Sequence, residues 1–160
     1  MKLGSALREL HRSENELAQR LLHAGERHEA DQDVYHLSRT LATWSQEHVR
    51  AIAEHARRYD EDLDPEPREE SHLLQLVREK AGEALGRRPE AGMLLLSDIR
   101  EIYLAAAGVS VDWELVAQGA QGARDLELIE LAQRCHAENL RQMRWANAKL
   151  KESATQILLS

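Results

Sequence analysis

Three ionisable residues fall where runs of apolar residues at helical spacing call for an aliphatic one: Glu14, His48 and His136. A carboxylate or imidazole taken out of water is costly unless it pairs with another group or binds a metal ion. One carboxylate and two imidazoles are also a sufficient donor set for one divalent ion, either iron, zinc or manganese. In such a site Glu14 is the anionic ligand and each His a neutral one. Ser45, three residues before His48, and Gln133, three before His136, would orient the ligands or a bound water from behind. Glu114 is a further carboxylate two helical turns from the middle of its helix. The competing reading needs no metal: Glu14 pairs with a histidine in a buried polar layer that fixes helix register.

These residues need long helices to position them. The first helix is expected over about residues 3–30, with Leu3, Leu7, Leu10, Glu14, Leu17, Leu21, Ala24 and His28 on one stripe. The second is expected over 34–59, with Val34, Leu37, Leu41, Trp44 or Ser45, His48, Ile52 and Tyr59. The third covers 91–120 and the fourth 123–158, with Gly119 and Gly122 flanking the turn between them. The fourth stripe reads Leu126, Ile129, Ala132 or Gln133, His136, Leu140, Met143, Asn147, Leu150, Ala154 and Ile157. Residues 60–90 form a crossover that opens with the acidic DEDLDPEPREE and carries a short helix over 71–85, ended by Gly86 to Pro89. Asp60, Asp62 and Asp64 imitate the start of a calcium loop, but Pro65 and Ser71 stand where that loop requires Gly and a bidentate Glu. The expected architecture is one all-α domain over 1–160, two antiparallel helix hairpins joined by the long crossover. Glu14 lies about 17 residues before the first turn and His48 about 17 after it, so they share a height. A crossover that reverses the second hairpin brings His136 to within about one turn of the same height.

The arrangement resembles the ferritin-like superfamily, including a stress-associated bacterial branch of it. Glu14 matches the first-helix Glu of that family's di-iron site. Ser45-x-x-His48 and Gln133-x-x-His136 match its Glu-x-x-His pairs, with Ser and Gln in place of Glu. The resemblance implies a four-helix bundle with a degenerate di-iron ligand set, since one Glu cannot balance two irons. The expected function is therefore non-catalytic: a stress-related or partner-binding bundle with an eroded metal site, working as a homodimer or with a protein partner. The alternative is a mononuclear metal-binding protein or metalloenzyme built on Glu14, His48 and His136.

Composition narrows the classes. There are 25 Leu and 22 Ala but no Phe, which favours helices over strands. A net charge of −7 argues against a nucleic-acid binder. No apolar run is long enough for a membrane span. A lone cysteine, Cys135, fits a reducing cytoplasm; on a helix it diverges by about 100° from its neighbour His136, so the two form no thiol–imidazole pair. Trp44, Trp113 and Trp145 sit on three different long helices as bulky core or dimer fillers.

Overall fold

Each apolar stripe needs a partner, and four long helices supply them. The computed structural model describes residues 2–69 and 90–160. It contains α1 (Lys2–Arg27), α2 (Gln32–Ala56) followed by one 3-10 turn (Arg57–Tyr59), α3 (Ala91–Ala123) and α4 (Leu126–Leu158). No strand occurs among the described residues. The short helix expected over 71–85 and its stop at Gly86 to Pro89 lie outside them.

α1 packs against α2 and α3, and α4 packs against α3 and α2. Leu7, Leu10, Leu17 and Leu21 of α1 are fully buried with Val34 and Ile52 of α2 and Ile99, Ile102 and Trp113 of α3. α1 and α3 run antiparallel. Leu3 lies at Gly119, Ser13 bonds Asp112, and His28 bonds Asp98. Residues 60–69 lie along α1. The Arg8 guanidinium holds Glu61, His11 Nε2 donates to the Asp64 carbonyl at 2.8 Å, and Arg68 N–H donates to Asn15 Oδ1 at 2.9 Å.

Both tight turns are set by aspartate. Asp31 caps α2 by accepting from Val34 N–H at 3.2 Å, and Lys149 of α4 pairs with its carboxylate at 3.0 Å. Asp125 caps α4 by accepting from Leu128 N–H at 3.1 Å, and it also takes the Tyr59 hydroxyl and Arg58. These bonds outweigh burial and hold the Asp125 carboxyl below its usual range.

The second turn corrects the sequence expectation. Gly119 and Gly122 lie inside α3, which runs on to Ala123. Arg124 takes the left-handed conformation, φ 56°, that a glycine would normally supply. A cap that also holds Tyr59 and Arg58 sets this turn, so no glycine is needed to stop the helix.

The fourth stripe is corrected as well. The buried residues of α4 are Leu128, Leu131, Ala132, Cys135, Asn139, Gln142, Ala146 and Lys149. The expected stripe sits about one residue, or roughly 100°, round the helix from that face. Its Ile129, Met143 and Leu150 only flank the core, and Leu126 and Leu140 are exposed.

Asp125→Ala should cost about 1–3 kcal/mol, because it removes a cap and two tertiary anchors together. Urea unfolding checks this, with exposed Glu127→Ala expected to change stability by less than about 0.5 kcal/mol.

Candidate functional site

At mid-height one carboxylate oxygen ties three helices together. Glu14 of α1 is 0% exposed, and its Oε1 accepts from His48 Nδ1 of α2 at 2.8 Å and from Trp113 Nε1 of α3 at 2.8 Å. With a carboxylate as partner, Nδ1 carries the proton. The Trp113 ring meets the His48 ring edge to face, with centroids 6.0 Å apart. α4 contributes Cys135, 2% exposed, whose thiol bears on the His48 ring, and Glu138, whose Oε1 lies 3.6 Å from Nε2. Among the described residues neither Glu14 Oε2 nor His48 Nε2 has an aligned hydrogen-bond partner.

Burial pushes the His48 imidazole down. The Cys135 sulfur beside the ring and the Glu14 carboxylate bonded to Nδ1 outweigh it and hold the group at about 10 against an ordinary 6.5. Thiol, imidazole and carboxylate thus meet in one buried cluster, the set that activates a nucleophile in other settings. Here the thiol is packed away from solvent, so in this conformation the cluster acts as a polar layer.

A second polar layer connects α2, α3 and α4. Gln142 Nε2 donates to the Leu41 carbonyl at 2.9 Å and to Ser45 Oγ at 2.8 Å. Asn139 Nδ2 donates to the Ala106 carbonyl at 3.1 Å. All three side chains are buried, so each bond is made away from competing water.

The residues singled out from sequence divide accordingly. Glu14 and His48 come together as counted. His136 is half-buried on the flank of α4, where its Nε2 and the Ser110 hydroxyl hydrogen-bond at 2.8 Å. Cys135, one residue earlier, faces the height expected for it. Ser45 is buried but bonds Gln142 rather than standing behind a ligand. Gln133 and Glu114 are exposed, and Trp113 turns inward in place of Glu114. Among the described residues no group of three His, Cys, Asp or Glu is arranged to hold a metal ion. With His136 held by Ser110, and one oxygen of Glu14 holding two donors, the set of two His and one carboxylate does not fit around one ion.

Sequence reasoning missed the roles of Trp113, Cys135, Asn139 and Gln142. The signal was present for the α4 residues: 128, 131, 132, 135, 139, 142, 146 and 149 also step by three and four, but mix polar with apolar types. No protein-family model matches the chain, and no curated protein or solved structure matches it either. Among the described residues no helix is long and apolar enough to cross a membrane.

Glu14→Leu should lower stability by roughly 1–3 kcal/mol, since it strands His48 and the Trp113 N–H in the core. Glu14→Leu combined with His48→Leu should cost less than the sum of the single changes, and a double-mutant cycle by urea unfolding measures the coupling.

Stability should also depend on pH. Folded His48 keeps its proton to about 10, whereas an unfolded His releases it near 6.5. Its contribution is whole below pH 6.5 and drains away as pH rises toward 10. Unfolding curves across that window should show wild type losing stability faster than His48→Gln.

Proposed function

We propose that this chain is a ferritin-like bundle whose mid-height layer is structural and whose work is to bind a protein partner, in a stress-related role in the cytoplasm. One observation carries the reading: Glu14 Oε1 already accepts from both His48 and Trp113. A carboxylate held this way by its own neighbours is pre-organised as a buried hydrogen-bond acceptor, not as an open ligand. The positions where a di-iron bundle would need more carboxylates carry Ser45 and exposed Gln133.

The helix pairings support the ferritin-like part. α1 opposes α3 through His28 and Asp98 at one end and Leu3 and Gly119 at the other. α2 opposes α4 through Asp31 and Lys149 at the first end and Tyr59 and Asp125 at the second. On this pairing α2 and α3 point the same way, so residues 60 and 90 stand at opposite ends of the bundle. Residues 60–69, running along α1 from Arg8 toward Gln19, head from the first of these ends toward the second.

The alternative of a single divalent ion draws support from Glu14 Oε2 and His48 Nε2, two buried atoms without aligned partners among the described residues. It would require His136 to leave Ser110 and α4 to turn by roughly 100°.

Plasma mass spectrometry of tag-free protein purified without chelators tests the reading. The expected result is well below about 0.1 iron, zinc or manganese per chain, with a melting temperature indifferent to chelator. About one metal per chain, with a melting temperature that falls on chelation and recovers with that metal alone, would replace the proposal by the alternative.

A further inference from the structure

α3 is apolar on the side that faces away from the core as well as on the side that faces it. Its inward residues include Ile102, Ala106, Val109, Trp113 and Val116. On the opposite side Leu104 is 48% exposed, Val111 55% and Leu115 61%. Gly108 joins them: 104, 108, 111 and 115 step by four, three and four, which is one helix face. Met93, also exposed, extends that face toward the start of the helix. No described residue covers it. A side chain at Gly108 would find nothing within 4 Å.

The flank of α4 beside Ser110 is a separate apolar surface, about 120° round α3 from Leu104. The bond between Ser110 and His136 sets that flank beside α3, and it carries Ile129, Leu140 and Met143. This is the apolar stripe that sequence spacing assigned to the core.

The geometry points to a second copy of this chain as the occupant, docked with α3 against α3 in antiparallel fashion about a two-fold axis at the height of residues 109 and 110. The order of side chains is self-complementary about that point. Leu104 meets Leu115 of the second copy, and Val111 projects over the open backbone of Gly108. Isologous contact of this kind closes on itself and stops at a dimer.

Charge agrees with this register. Arg100, held by Glu101 at 3.2 Å, comes opposite Gly119, and Glu101 itself comes opposite Gln118. Glu114 comes opposite Ala105, so no like charges face each other across the axis.

Size agrees with a modest dimer. In this register α3 overlaps its copy from residue 96 to residue 123, about 40 Å of helix, and a strip about 10 Å wide covers about 400 Å² per copy. The total is about 800 Å² over both copies, the size of a weak, transient interface, and the dissociation constant is expected at about 100 µM. The inference does not rest on the reading of the polar layer, which lies on the other side of α3.

Sedimentation equilibrium of the full chain from about 1 to about 200 µM should show a monomer–dimer equilibrium. Val111→Arg should weaken it roughly tenfold or more, with helical circular dichroism and melting temperature of the dilute monomer unchanged because Val111 is exposed. Register is read by disulfide trapping. Oxidation of Leu104→Cys mixed with Leu115→Cys should give linked dimer in much higher yield than either variant alone, with the unsubstituted chain as control for buried Cys135. Equal yield from the single variants would mean a parallel or unrelated packing and would overturn the inference. A monomer at every concentration would also overturn it, leaving the face to residues 70–89 or to a different protein.

Discussion

The bundle depends on a single carboxylate oxygen. Glu14 Oε1 takes one hydrogen bond from α2 and one from α3, each at 2.8 Å, at a point with no solvent exposure. Apolar side chains alone would let these helices slide or rotate by a residue at little cost, because leucine packs against leucine in many registers. A buried acceptor with two fixed donors permits one height and one rotation for all three helices. Removing either donor leaves a desolvated group behind, so the layer penalises wrong registers more than it rewards the right one.

α4 is held by a different logic. Its inward face is polar at intervals, with Cys135, Asn139, Gln142 and Lys149 buried between small and aliphatic residues. Each of the last three reaches a partner on another element: the Ala106 carbonyl, the Leu41 carbonyl with Ser45, and Asp31. The helix is positioned by specific bonds where a leucine seam would normally do the work. That choice leaves leucine, isoleucine and methionine free for a second face, and the same helix carries both.

This division explains what the sequence revealed and what it concealed. Fold class, four long helices and the meeting of Glu14 with His48 could be read directly, because α1 and α2 share a short turn and residue counting fixes their relative height. The place of His136 could not. α4 carries two stripes of equal periodicity, and hydrophobicity favours the one that does not face the core. Trp113 was legible as a core filler but its bond to Glu14 was not: α3 is apolar on both sides, so no periodic contrast marks which flank meets α1. The end of α3 was misread because glycine is the usual stop signal. Here Asp125, bonded to Tyr59 and Arg58, does that work from outside the helix.

The strap of residues 60–69 along α1 has a further consequence. Its bonds from Asp64 and Arg68 reach His11, Asn15 and Gln19, all on α1, so α1, α2 and the strap form one contiguous unit of chain. α3 and α4 form another, and the two units meet across a seam that contains the polar layers. In folding, each hairpin can assemble by short-range loop closure before the long-range docking step. Opening the seam exposes Leu7, Leu10, Leu17 and Leu21 of α1 and Ile99, Ile102 and Trp113 of α3 along with the polar layers, so it costs apolar burial as well as hydrogen bonds. Docking of the two hairpins is therefore the step that completes a common hydrocarbon interior, and the polar layers inside it select the one alignment at which that interior closes.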